Sequence, residues 1–80
     1  MNKNFASNLQ CIGSTIKDLR LQKKMTQSHL ATLCDIDIRS IQRIEKGQQN
    51  ISISLLLLIA ESLETSAHLI IKDCDVKARP

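Results

Sequence analysis

Between Met25 and Asn50 the apolar residues fall into two short stretches of helical period, separated only by Asp35-Ile36-Asp37. Leu30, Ala31, Leu33 and Cys34 supply the first stretch, Ile41 and Ile44 the second, at the spacing that puts side chains on one face of a helix. Thr26 stands where a side-chain oxygen can cap the first helix, and Asp37 where one can cap the second. Asp35 falls where a tight turn needs a left-handed backbone, which Asp tolerates better than most residues other than Gly and Asn. So short a break leaves no room for a long loop, and the chain must contain two tightly joined helices.

The flanking sequence supplies three more helices. Leu9, Ile12, Ile16 and Leu19 recur at three- and four-residue spacing, with Lys17, Gln22 and Lys24 on the opposite side. Met25 can pack just ahead of the Thr26 cap. Gly47 ends the third helix and Gln48, Gln49 and Asn50 form a polar link. Ser52 or Ser54 caps a fourth helix carrying Leu55, Leu56, Ile59, Ala60 and Leu63, and Ser66 opens a fifth with Leu69, Ile70 and Ile71. A strand competes for those last three residues, which carry no clear period; helix is the preferred reading. The expected fold class is all-α, a compact five-helix domain. Residues 1 to 7 are expected to form a flexible arm, 8 to 72 the domain and 73 to 80 a flexible tail.

Eighty residues suffice for one domain and leave little room for an internal cleft. Phe5 is the only aromatic residue, so the core must be built from Leu, Ile, Ala and Cys. The same absence removes the stacking platform on which single-stranded nucleic acids are usually bound, leaving duplex DNA open. Cys11, Cys34 and Cys74 form no Cys-x-x-Cys pair, and are expected to be three reduced thiols. His29 and His68 make no short-spaced cluster with them, so no metal and no cofactor are expected. A phosphate loop, a His-Glu-x-x-His pattern and a paired acid-base constellation are all missing, and the chain is not expected to be an enzyme. The longest apolar run, Leu55 to Ala60, is six residues, far short of a membrane span, and the N-terminus has no signal-peptide pattern. A cytoplasmic location without membrane association is the expectation.

The net charge of +3 is unevenly spread: residues 1 to 50 carry eight Lys or Arg against four Asp or Glu, and residues 51 to 80 carry three against four. The basic half is therefore the candidate face for a polyanion.

That half also contains side chains suited to reading bases. With Ile41 and Ile44 inward on the third helix, Ile38, Arg39, Gln42 and Arg43 fall on its outer side. Arginine can make two hydrogen bonds to guanine O6 and N7, glutamine can pair with adenine N6 and N7, and isoleucine can touch a thymine methyl. By composition alone the same row reads more readily as a solvated helix face.

The segment from Ile12 to Ile70 resembles the lambda-repressor and Cro type helix-turn-helix family of transcriptional regulators. The likeness is strongest in MTQSHLATLCDIDIRSIQRIEKGQQN, at Thr26-Gln27, Leu30-Ala31, Ile36, Ile41, Ile44-Glu45 and Gly47. The resemblance implies that Gln27 begins a positioning helix and contacts a phosphate or base edge. It implies that Ile38, Arg39, Gln42 and Arg43 face bases, that Lys46, Gln48 and Asn50 lie near the DNA backbone, and that Arg20 pairs with Glu45. Ala31 is small where two helices approach closely. Three departures stand out: Asp35 replaces the usual Gly of the turn, Cys34 a small apolar residue, and Ile51 a Pro.

Leu55 and Leu58 also fall at positions that are usually polar in the resembled family, and four consecutive leucines span every side of a helical turn. One small core cannot bury them all, which points to a partner surface. The simplest occupant is a second copy, with Leu58, Leu69 and Ile71 as candidate contacts. The expected function is sequence-specific binding of double-stranded DNA by a small repressor, acting as a homodimer on a palindromic operator. An antitoxin or a restriction-modification controller would share this mode, with a toxin or RNA polymerase as a further partner. A protein-interaction module using the leucine-rich fourth helix is the competing class.

Overall fold

Thr26, Ser52 and Ser66 each accept a hydrogen bond from the backbone N–H three residues on, and Asp37 accepts one from the N–H two residues on. These four caps satisfy N–H groups that a helix start otherwise leaves unpaired, and each fixes the first residue of a helix. The computed structural model describes residues 5–74. They fold into α1 (Ala6–Gln22), α2 (Gln27–Cys34), α3 (Ile38–Glu45), α4 (Ile53–Ser62) and α5 (Ala67–Ile71). Among the described residues there is no strand, so Leu69 to Ile71 take the helical alternative. No helix among them is long and apolar enough to cross a membrane.

Left-handed residues close three of these helices without glycine. Asp35 lies at φ 55° and ψ 44° beyond α2, as its place in the turn requires, while Lys24 and Glu64 adopt φ 56° and 59°. The N–H of Ile36 then returns to the carbonyl of Ala31 at 3.0 Å, which turns the chain directly toward α3.

α2 packs on α3, α1 on α3, α2 on α4, and α5 closes against α1 and α4. Ile16, Leu30, Ile41, Ile44, Ile59, Leu63 and Ile70 are the large side chains fully buried in this interior. Phe5 is exposed, so the core holds no aromatic ring. Leu9, Ile12 and Leu19 are only half-buried, and Leu33, read from the sequence as part of an apolar face, points to solvent. Cys34 is buried, its thiol 3.6 Å from the Ser62 hydroxyl. Burial pushes that thiol's pKa up, partly offset by the Ser62 contact, so Cys34 stays protonated and weakly nucleophilic.

Two expectations about the ends need correction. Ala6 and Ser7, read as part of an arm, already belong to α1. At the other end Cys74, read as tail, is buried, and its carbonyl accepts a hydrogen bond from the Asn8 side chain. Residues 1–4 and 75–80 of the proposed arm and tail lie outside the described residues.

The expectation of three reduced cysteines also fails, because Cys11 and Cys74 are joined in a disulfide across 63 positions of sequence. Spacing along the chain carried no hint of this pair, since it depends on α5 delivering Cys74 to the middle of α1. A cross-link closing so long a loop restricts the unfolded chain and should stabilise the domain by about 4 kcal/mol. Thermal unfolding with and without reductant measures this: the midpoint should fall on reduction, and should be indifferent to reductant in a Cys11→Ser variant.

Candidate nucleic-acid interface

The third helix is the most sharply two-sided element of the chain. Ile41, Ile44 and Glu45 are buried on one side, while Ile38, Arg39, Gln42 and Arg43 are exposed on the other. The 3.6-residue period makes this division, with positions 38, 39, 42 and 43 sharing one face. The four side chains expected to read bases therefore stand together in solvent, on a helix eight residues long.

What holds that helix is a buried polar network. Arg20 on α1 donates from Nε to Glu45 Oε2 at 2.7 Å and from Nη2 to Oε1 at 3.1 Å, a bidentate pair. Its Nη1 reaches the Met25 carbonyl at 2.7 Å, and Gln27 at the start of α2 donates to Glu45 Oε1 at 3.0 Å. The two charged side chains are 7% and 3% exposed, so the pair is truly desolvated and its geometry matters. One carboxylate thus ties the end of α3 to α1 and to α2, and Arg20 joins the loop before α2 to the same network. The family resemblance implies the Arg20–Glu45 pair but not the part that Gln27 plays in holding it. Gln27 is half-buried with one amide hydrogen committed to Glu45, and keeps its carbonyl and one N–H for another partner.

Backbone contact supplies the second restraint. A Cβ at Gly13 would overlap the Ile44 carbonyl oxygen and meet that of Glu45 at 2.9 Å, so α1 rests directly on the last turn of α3. Gly47, at φ 73°, brings its own Cα against Gln10, where a Cβ would lie 2.7 Å from the Gln10 Cα. Neither close approach announces itself in the sequence, where Gly13 reads merely as a weak helix residue.

Around the exposed row the side chains are also organised. Asp37 holds Arg39 through two hydrogen bonds, and Arg43 donates from Nε to Gln49 Oε1 at 2.9 Å. The Arg39 side chain, followed by its backbone N–H, holds the Asp37 carboxyl down to about 2. Gln49, not singled out from the sequence, is half-buried, whereas Lys46, Gln48 and Asn50 are exposed beside it. Lys17, Gln27, Gln42, Glu45 and Lys46 line an open groove of about 320 Å³ where α1, α2 and α3 meet. Its two lysines place positive charge next to the exposed row, where a phosphate backbone passing α3 would meet it.

The expected partner surface is less uniform. Leu58 and Leu69 are 36% and 50% exposed, but Ile71 packs partly against the core. Of the four leucines, Leu56 is buried, Leu55 half-buried and Leu57 exposed, and Ile53 adds a further exposed apolar side chain on α4.

Comparison with known proteins finds relatives of this fold. The helix-turn-helix family model matches residues 16–70. An uncharacterised HTH-type transcriptional regulator of Rickettsia conorii is 40% identical over 53 residues, covering 66% of this chain and 42% of that protein. The chain thus spans about two fifths of the length of the curated relatives it matches at this identity. Among solved structures, the restriction-modification controller C.AhdI of Aeromonas hydrophila superposes with a TM-score of 0.77 at 28% identity, over 79% of this chain and 96% of that one. The controller C.Esp1396I, solved as a tetramer in complex with its natural 35 base-pair operator, superposes with a TM-score of 0.74 at 34% identity, over 84% of this chain and 88% of that one.

Proposed function

This chain belongs to the helix-turn-helix family of transcriptional regulators, and from that premise we propose that it represses transcription by binding a palindromic operator as a homodimer. The observation that supports base reading by α3 is its exposed row of Ile38, Arg39, Gln42 and Arg43, presented by a helix whose opposite side is locked into the domain. Arg39 and Arg43 are the guanine readers in this proposal, Gln42 an adenine reader, and Ile38 a contact for a thymine methyl. Gln27, at the first position of α2, contacts a base edge or phosphate with its free amide atoms. Lys46, Gln48 and Asn50 approach the backbone and set the register. The family makes the protein a DNA-binding regulator and not an enzyme.

Dimerisation through Leu58, Leu69 and Ile71 would set two reading helices about one DNA turn, roughly 34 Å, apart. The exposed Leu57 and Ile53 add apolar area on α4. Acting on the chromosome, the protein would work in the cytoplasm, a compartment whose thiol pool opposes the Cys11–Cys74 bond. Likeness to two restriction-modification controllers favours, as a second reading, a controller that represses or recruits polymerase.

Selection of bound duplexes from a random pool tests the proposal. The enriched pool should contain two inverted half-sites; an unenriched pool, or a single unrepeated site, would contradict it. A reporter placed behind the enriched sequence separates repression from activation.

A further inference from the structure

Arg39 is held in a way that leaves one particular edge of its guanidinium free. Asp37 Oδ1 accepts from Arg39 Nε at 3.2 Å and Oδ2 from Nη2 at 2.9 Å, while Oδ1 also caps α3 by accepting from the Arg39 backbone N–H at 2.8 Å. A guanidinium carries five N–H donors in one plane. With the Nε and inner Nη2 hydrogens taken by the carboxylate, the Nη1 hydrogens and the outer Nη2 hydrogen remain, directed away from Asp37. Those are the donors an arginine needs for an end-on bidentate contact with guanine O6 and N7.

Resting on the base-reading role proposed above, we infer that Asp37 is a specificity-determining residue, which sets the Arg39 fork in the orientation that recognises guanine. Stability does not explain the arrangement. The Arg39 and Asp37 side chains are 74% and 49% exposed, and ion pairs in that setting contribute little to folding. The cap requires only one oxygen on Asp37, a task serine performs as well. Affinity does not explain it either, because a carboxylate at the tip of the reading helix repels phosphate. Orientation is what remains: holding a flexible arginine in one geometry before binding lowers the entropy cost of the contact and penalises bases that cannot use it.

The test uses the full chain and its selected duplex. Arg39→Ala first identifies the base pair whose preference depends on that side chain. Asp37→Ser keeps the cap and removes the carboxylate; circular dichroism confirms that it remains folded, and Asp37→Asn, which retains one acceptor oxygen, provides a second folded variant. Wild type should prefer guanine over the other bases at the identified pair by about tenfold to a hundredfold and lose that preference when 7-deazaguanine replaces guanine. Asp37→Ser should lose most of the same preference at that pair alone, with Asp37→Asn between the two. The inference is overturned if Asp37→Ser keeps the full guanine preference, or if it tightens binding to every duplex alike, which would make the carboxylate an electrostatic brake. Were wild type to show no preference at any pair, base reading itself would fall, and this inference with it; specific binding with an unchanged Asp37→Ser profile would overturn only the inference.

Discussion

Replacing Gly13 with alanine should unfold most of the domain, although the same change would strengthen an isolated α1. Gly costs a helix interior about 1 kcal/mol relative to Ala, so propensity alone predicts a gain. In the folded chain the new methyl would overlap the Ile44 carbonyl oxygen and sit 2.9 Å from that of Glu45, both backbone atoms at the end of α3. Neither can swing aside as a side-chain tip would, so α1 has to lift from α3. That opens the seam holding Ile16, Arg20, Ile44 and Glu45, all buried. Loss of packing and of the ion-pair geometry should cost about 4 kcal/mol or more, at the upper end for single substitutions. For 80 residues the whole stability is about 4–12 kcal/mol, so the variant should be largely unfolded or melt far below wild type. Urea denaturation measures the loss, and a synthetic α1 peptide carrying the alanine should show more helix by circular dichroism. A variant as stable as wild type would mean that α1 does not rest on the α3 backbone.

Breaking the Arg20–Glu45 pair from one side should be nearly as damaging. Glu45→Ala leaves a guanidinium whose side chain is only 7% exposed with the Met25 carbonyl as its remaining partner, and takes from Gln27 its acceptor. An uncompensated buried charge of this kind costs about 3–5 kcal/mol. Arg20→Ala leaves the carboxylate with Gln27 alone and should cost a similar amount. Replacing both together, Arg20→Met with Glu45→Leu, should cost much less than the two losses added, because it removes the desolvation penalty along with the attraction. Denaturation of the three variants gives the coupling directly. Single losses under about 1 kcal/mol would show that water, not the partner, solvates these groups.

The residues that forced helices to start were legible from the chain. Thr26, Asp37 and Ser66 carry side-chain oxygens just ahead of apolar periods, and a local rule of that kind needs no knowledge of the fold. The sequence alone does not choose between Ser52 and Ser54, since either oxygen sits ahead of the apolar period; the structure uses Ser52. Asp35 was legible for the same local reason, since a three-residue break allows few backbone paths. Gly13 and Cys74 were not, because each matters through a residue far along the chain: Gly13 through the carbonyls of Ile44 and Glu45, Cys74 through Cys11. Leu33 misled because it lies at the margin of the apolar face of α2, where neither α3 nor α4 covers it. The exposed row on α3 could be placed by period alone, but its organisation by Asp37 and Gln49 depends on rotamers that a sequence pattern does not encode.

Base reading by α3 through Arg39 and Arg43 is tested by the ratio of affinities for the selected duplex and for an unrelated duplex of the same length, measured across a salt series. Wild type should hold a large ratio while both affinities fall with salt, as phosphate contacts require. A double Arg39→Ala, Arg43→Ala variant that remains folded should bring the ratio close to one and still bind both duplexes weakly. A ratio that survives the double substitution would place recognition elsewhere on the protein.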